Sequence, residues 1–435
     1  MDGDSGASSG KEMAIRVPCL VRVRPRRVRT SPSPPGTGLA DRRHRLPEPI
    51  VRIAYITETF PPEINGVSLT AERALRHLRG AGHVVQLVRP RQAGEEALDS
   101  VDEWRTAGGP VPMVPELRFG WAEPAALRRR WRRSAPHLVH VSTPGPLGWA
   151  ALRAARAEGI ATSADFSINF PGYSRYYRLG VLEPLVLAYL KRLHAMADRS
   201  FVPTPALARE LAARGFERLE VIGRGVDAGH FNPGRRDAAL RETWHAGDDD
   251  RVLLHVGRLA PEKNLGLALQ TYETLHREHA TLRMVVVGDG ALRSRAEADY
   301  PEVSFVGSRC GDELARYYAS ADLFVYPSLA DTFGNVTLEA LASGLALVAF
   351  DTAAAALHVR DGESGCLAKA GDDEAFVAAA RRALAASEPG GALRRAAREA
   401  ALRVDWDSVL HAFDRRLRAT VADAAAARVP DAALA

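Results

Sequence analysis

Two successive series of short apolar runs, each ending in a polar loop and separated by helical periods, constrain this 435-residue chain more than anything else in it. From residue 51, VRIAYIT is followed by an amphipathic stretch from Leu69 to Arg79, then Gly80, Gly82 and the run HVVQLV. Similar runs follow at 137–142, 160–165, 199–204 and 219–225. A second series begins with VLLHVGRL at 252–259 and continues at 282–290, 303–307, 322–328 and 346–351. Between them helical faces recur, as at Leu265, Ala268, Leu269, Tyr272 and Leu275. Strand, helix, strand is the unit of a parallel sheet with covered faces. The expected fold class is α/β: two Rossmann-like doubly wound parallel-sheet domains, 51–225 and 251–405, facing across a cleft. A polar, turn-rich linker is expected at 226–250. Ligands bind such sheets outside the carboxyl ends of their strands.

Composition excludes more than it suggests. No apolar run approaches the roughly 20 residues of a membrane-spanning helix. The cysteines, Cys19, Cys310 and Cys366, have no metal-ligand spacing, and such sparse usage suits a reducing compartment. The net charge of +5 lies in residues 1–50, which hold ten basic and five acidic residues; the remainder holds 48 of each. The body is therefore neutral, and a nucleic-acid partner is not expected. Residues 1–50 are Arg- and Pro-rich without period and without a secretory apolar core. They read as a disordered tail or as an over-long translation start. A cytoplasmic location is expected.

The segment YPSLADTFGNVTLEALAS, 326–343, carries the most chemistry. It reads as strand end, turn and helix, with Asn335 as the expected N-cap and the amides of Phe333, Gly334, Asn335 and Val336 at the helix N-terminus. Those N–H groups sit at the positive end of the helix dipole and suit an anion. Asp331 and Glu339 flank them, and ionised carboxylates accept hydrogen bonds from the diols of a ribose or a hexose. Amides for phosphate beside carboxylates for polyols describe a nucleotide-sugar site. An ordinary capped helix is the bland alternative.

Asp331-TFGNVTL-Glu339 resembles the acid-x7-acid signature of retaining glycosyltransferases of the fourth family, which have the two-domain GT-B fold. It looks most similar to a bacterial branch using GDP-mannose. The resemblance spans about residues 51–420. It implies a retaining hexosyltransferase, mannose from GDP-mannose being the first guess, that acts on a lipid, glycolipid or glycan acceptor. The donor would be GDP- or UDP-linked, with no other cofactor and no metal. The resemblance also implies that the helix 406–420 crosses back to the first domain; residues 421–435 read as a second disordered tail. The family usually has Glu where Asp331 stands, and the Asp side chain is shorter by one methylene, roughly 1.5 Å.

Further motifs fall after strands. In HVGRLAPEKNL, Arg258 and Lys263 can bracket a diphosphate, the guanidinium as a planar fork and the ammonium as a point charge. In the resembling family the matching pair stabilises the departing diphosphate in place of a metal. Two surface cations would be the alternative. Gly66, in FPPEINGVS, matches a family glycine that lets backbone approach the diphosphate. Ser308 and Arg309 lie where relatives contact the base edge. Gly288-Asp289-Gly290 reads as a tight turn. Asp248-Asp249-Asp250 is read as a solvated loop, not a metal pair.

The acceptor side matches less well. Ser142 and Ser167 stand where relatives often carry His, and His140 reads as structural. Ser142, Thr143, Tyr173 and Arg175 are the acceptor-side candidates, with Tyr176 beside them. Finally, EPAALRRRWRR (123–133) offers a basic amphipathic helix that suits an anionic membrane surface, against the alternative that its Leu127 and Trp131 pack on the sheet. Ser142, Ser167 and Asp331 motivate a second hypothesis, a nucleotide-sugar-binding protein that has lost turnover. A nucleotide-sugar epimerase of the same fold is the third.

Overall fold

The strand-like runs form two sheets. In the first, β1 (Arg52–Ile56), β2 (Val84–Pro90), β3 (Glu103–Val111), β4 (Val114–Trp121), β5 (Leu138–Val141), β6 (Ala161–Asp165), β7 (Arg199–Val202) and β8 (Leu219–Val221) lie in the order β4-β3-β2-β1-β5-β6-β7-β8. The second contains β9 (Val252–Val256), β10 (Arg283–Val287), β11 (Ser304–Gly307), β12 (Leu323–Tyr326), β13 (Ala346–Phe350) and β14 (Cys366–Ala368), in the order β11-β10-β9-β12-β13-β14. All pairings are parallel except β3 with β4. Strands β9, β12 and β13 are buried along their whole length. That is why they read as unbroken apolar runs and not as alternation. This computed structural model describes residues 49–63, 65–111, 114–167 and 183–428, all within the unit Pro47–Ala435.

The strand order reverses beside β1 and β5 in one sheet and beside β9 and β12 in the other. Crevices at such switch points are where doubly wound folds bind ligands. The loops after these four strands carry Gly66, Ser142 and Thr143, Arg258 and Lys263, and Asp331 to Glu339.

Three expectations change. The antiparallel pair β3–β4 lies in a stretch rich in Gly and Pro, where strand propensity is low, and β14 is three residues long. Residues 226–250 do not stand apart as a linker. Val226, Phe231, Trp244 and Ala246 are buried in the second lobe's core, four apolar anchors within a polar stretch. The last helix runs Trp406–Ala426, so 421–426 continue it where a tail was expected. Its first turn is capped by the Asp405 side chain accepting from Ser408 N at 2.7 Å. Its Leu410, Phe413 and Leu417 pack with Tyr55, Leu75 and Phe201 in the first lobe. Residues 1–48 and 429–435, and the candidates Tyr173 and Arg175 with Tyr176, lie outside the described residues.

Candidate functional site

The 335–342 helix begins one residue earlier than its sequence suggests. Gly334 occupies the cap with φ of +87°, and Asn335 is the first helical residue. Left-handed backbone favours glycine there, and no side chain caps the turn. The Asn335 and Val336 N–H groups, at the very start of the turn, therefore have no intrahelical acceptor, whereas Thr337 N donates to the Gly334 carbonyl at 3.0 Å. A Cβ added to Gly66, the first residue of the Gly66–Gly80 helix, would lie 3.5 Å from Asn335 Nδ2. Two helix N-termini thus meet across the cleft, one from each lobe. Asn65 caps the first-lobe helix by accepting from Ser68 N at 2.8 Å.

Beside this junction two charged candidates, Lys263 and Asp331, come together, and Arg258 lies in the same loop as Lys263. The Lys263 ammonium is paired with Asp331 Oδ1 and donates to the Tyr326 hydroxyl at 3.0 Å. That hydroxyl donates to Asp331 Oδ2 at 2.6 Å. Burial, the largest single influence, would raise the Asp331 pKa, but the Lys263 charge together with the hydrogen bonds from Lys263, Tyr326 and Ser328 holds the carboxyl below its usual value. Arg258 donates to Glu262, whose residue is fully buried. The Glu262 carbonyl also accepts from Leu329 N at 3.3 Å, tying this turn to the strand end that leads to Asp331. At the end of β10, Gly288 lies so near the Gly257 carbonyl that a Cβ would come within 1.8 Å of its oxygen. The expected tight turn is therefore also a close backbone approach to the Arg258 loop.

Glu339 accepts from the Tyr318 hydroxyl at 3.0 Å. Burial pushes its pKa up, offset in part by Tyr318 and by Arg73 of the first lobe. The Arg73 guanidinium lies 5.1 Å from the Trp406 ring centroid. Ser308 is exposed; Arg309 pairs with Glu313 at 2.9 Å beside the Tyr317 ring. Both lie just past β11, at the edge of the second sheet, well away from the switch point. The Phe333 side chain packs in the core near His358, so its backbone is what the site can use.

Across the cleft, Ser167 Oγ donates to the Ser142 carbonyl at 2.8 Å, and the Ser167 carbonyl accepts from Thr332 of the acidic loop at 3.3 Å. Thr143 Oγ1 accepts from Glu58 N at 2.8 Å, and Ser142 and Thr143 are buried. His140 is fully buried against Tyr55 and Phe413, with Nδ1 3.0 Å from Ser163 Oγ, as its structural reading requires. Among the described residues no group of three or more His, Cys, Asp or Glu is placed to hold a metal ion.

In the basic helix, Pro124–Ser134, the apolar pair takes the packed alternative. Leu127 and Trp131 are buried. Arg128 and Arg132 pair with Glu158, and Arg130 pairs with Asp99 and lies over the Trp104 ring. Its apolar face is packed and three of its arginines are paired, while Arg129 and Arg133, one turn apart, are exposed. Among the described residues no helix is long and apolar enough to cross a membrane.

The sequence reading passed over Glu58, Arg73, Glu262, Tyr318 and Tyr326. Tyr326 and Glu262 stood inside quoted motifs; Tyr318 and Arg73 carried no local signal at all.

Comparison with known proteins agrees with this two-domain fold. The family model described as Glycosyltransferase Family 4 matches residues 64–230, and that described as Glycosyl transferases group 1 matches 250–386. A GDP-mannose-dependent alpha-mannosyltransferase of Mycobacterium tuberculosis is 34% identical over 333 residues, 74% of this chain and 85% of that one. An alpha-monoglucosyldiacylglycerol synthase of Streptococcus pneumoniae is 26% identical over 69% of this chain and 71% of that one. Among solved structures, sucrose-phosphate synthase from Thermosynechococcus elongatus superposes with a TM-score of 0.71 at 20% identity, over 86% of this chain and all of that one. That likeness speaks for the two-domain fold alone. With both lobes matched and a relative of this identity over most of its length, the chain belongs to glycosyltransferase family 4.

Proposed function

We propose that this glycosyltransferase moves a hexose from a nucleotide sugar to a lipid, glycolipid or glycan acceptor, with retention at the anomeric carbon and without a divalent metal. GDP-mannose is the first candidate donor, in keeping with what its Mycobacterium tuberculosis relative is named for. A lipid-linked acceptor is in keeping with the streptococcal relative. The observation that carries the reading is the gathering of Arg258, Lys263 and the 333–336 amides opposite Gly66, at the switch points of two facing sheets. Arg258, Lys263 and those amides would hold the diphosphate. Glu339 would take the ribose and Asp331 the hexose.

As the bond from the anomeric carbon to the phosphate oxygen breaks, its electron pair stays on that oxygen. Fixed cations and amide dipoles stabilise the growing charge. The acceptor hydroxyl attacks from the same face, and its proton passes to the departing phosphate oxygen. Such a route asks positioning of the protein more than proton transfer, so Ser142 and Ser167 are compatible with turnover.

A panel of GDP- and UDP-sugars tests this, scored by thermal stabilisation and by release of nucleoside diphosphate. One donor should stabilise the protein and release diphosphate when an acceptor lipid or glycan is added. Binding without release would favour the reading in which turnover has been lost. Conversion of the sugar with no diphosphate released would favour an epimerase.

A further inference from the structure

We propose that Tyr326 is a positioning residue for sugar transfer. Its phenol hydroxyl, set between the Lys263 ammonium and the Asp331 carboxylate, fixes how far this short acid reaches toward the donor hexose. The inference rests on the proposed function, in which Asp331 receives the hexose and Lys263 the diphosphate.

The geometry is specific. Tyr326 closes β12 and is 5% exposed. Its hydroxyl accepts from Lys263 Nζ at 3.0 Å and donates to Asp331 Oδ2 at 2.6 Å, while Asp331 Oδ1 pairs with the same ammonium. The three groups close a ring in which both carboxylate oxygens are held. The Lys263 ammonium also lies 5.6 Å from the Tyr326 ring centroid. The ring itself is fixed by stacking on Phe324 at 5.5 Å, within the same buried strand. A rigid aromatic thus carries a hydroxyl to a set point, whereas Lys263 is a long and flexible chain.

An acid one methylene longer than Asp331 would extend roughly 1.5 Å further from the same backbone, into the space the phenol oxygen and the ammonium fill. The short acid and the tyrosine are therefore two halves of one arrangement. The hydroxyl takes up room that a longer side chain would need, and the hydrogen bond returns the orientation that a shorter one lacks. It also keeps a proton donor on Asp331, so the carboxylate does not turn both oxygens to the lysine when the diphosphate draws that ammonium away.

The test is a four-protein cycle on the full chain: wild type, Tyr326→Phe, Asp331→Glu and the double variant. Each is measured for kcat and KM with the donor found by the panel, and for nucleoside diphosphate affinity by calorimetry. Tyr326→Phe should lower kcat about tenfold, the scale of one lost hydrogen bond that matters in the transition state, with diphosphate affinity changed less than about threefold. Asp331→Glu alone should lower it at least as much. The double variant should regain kcat to within about threefold of wild type, because the ring edge leaves room for the longer acid. That recovery is a coupling between the two sites, which a merely structural tyrosine would not give.

A Tyr326→Phe protein with unchanged kcat, or a double variant showing the product of the two single losses, overturns the inference and leaves the proposed function standing. Thermal melts of all four separate misfolding from misplacement, and loss of fold in Tyr326→Phe itself also counts against the inference. A wild type that binds no nucleotide sugar overturns the proposed function and this inference with it.

Discussion

Burial pushes the Glu58 carboxyl up to about 7, and the N–H groups of Leu147 and Gly120, donating at 2.8 and 3.3 Å, offset it only in part. Its Oε2 lies 1.5 Å from where a Cβ on Gly145 would stand. Glu58 thus serves as a remote cap for the Pro146–Ala157 helix, whose own cap residue is that glycine. Between about pH 4.5 and 7 the folded chain keeps this proton and the unfolded chain loses it. Stability therefore falls as pH rises through that window, by about 3 kcal/mol if the shift is expressed in full. Urea unfolding at pH 5 and pH 8 should show this fall in wild type and not in Glu58→Gln; parallel slopes in the two proteins would exclude it. At the proposed diphosphate site, Arg258→Ala should lower kcat/KM on the order of 100-fold, as removal of one transition-state charge partner does elsewhere. Arg258, Lys263 and Asp331 were legible because their meaning lies in short motifs. Glu58, Glu262 and Tyr326 were not, because a carboxyl or a phenol acquires its role from neighbours distant in sequence.

The elements are where sequence spoke most clearly, since buried parallel strands must be continuous apolar runs. It was quiet where local chemistry opposes the observed state, as in β3 with its Gly108 and Gly109, where a Cβ on Gly108 would come 2.2 Å from the Phe119 carbonyl oxygen. There the glycine serves the close pairing with β4 and at the same time hides the strand. The second lobe is also held by a device that no pattern announces. Asp322, fully buried at the start of β12, meets Arg236 at 3.1 Å, Arg241 at 2.9 Å and Arg394 at 3.2 Å. It accepts from Val252 N at 3.0 Å as well. One carboxylate thus joins the segment after the lobe crossing, the first two strands at the switch point and the Ala392–Leu402 helix. Removing it leaves buried guanidinium groups without a counter-charge. Asp322→Ala should cost about 3–5 kcal/mol of second-lobe stability, read as a lowered melting transition. An unchanged transition would mean that solvent reaches those arginines.

The two lobes are joined by a pair of chain crossings that are themselves hydrogen-bonded. Val226 N donates to the Val404 carbonyl at 2.9 Å, and Val226 bridges Asp405 in parallel fashion. Just before it, Gly225 lies against the second crossing so closely that a Cβ would stand 2.6 Å from Trp406 N. From Trp406 the last helix is fastened to the first lobe. His83 Nδ1 accepts from Val51 N at 2.9 Å, so its Nε2 carries the proton donated to Asp414 at 2.9 Å. Arg418 binds Asp414 at 3.0 Å and the Pro49 carbonyl at 2.6 Å. The crossing is therefore fastened on the first-lobe side, and residues 225–226 and 404–406 are held to each other where the chain passes between the lobes. In the proposed reaction the second lobe holds the donor and the first meets the acceptor, so the spacing set here decides whether the two reactants align. Gly225→Ala must push the crossings apart, because both obstructing groups are backbone. Nucleoside diphosphate affinity should then change less than about threefold, while kcat/KM for transfer falls about tenfold or more, with both lobes still folded by thermal melting. Equal losses in affinity and transfer would show instead that the crossing shapes the donor pocket itself, and that the lobes do not divide the two reactants between them.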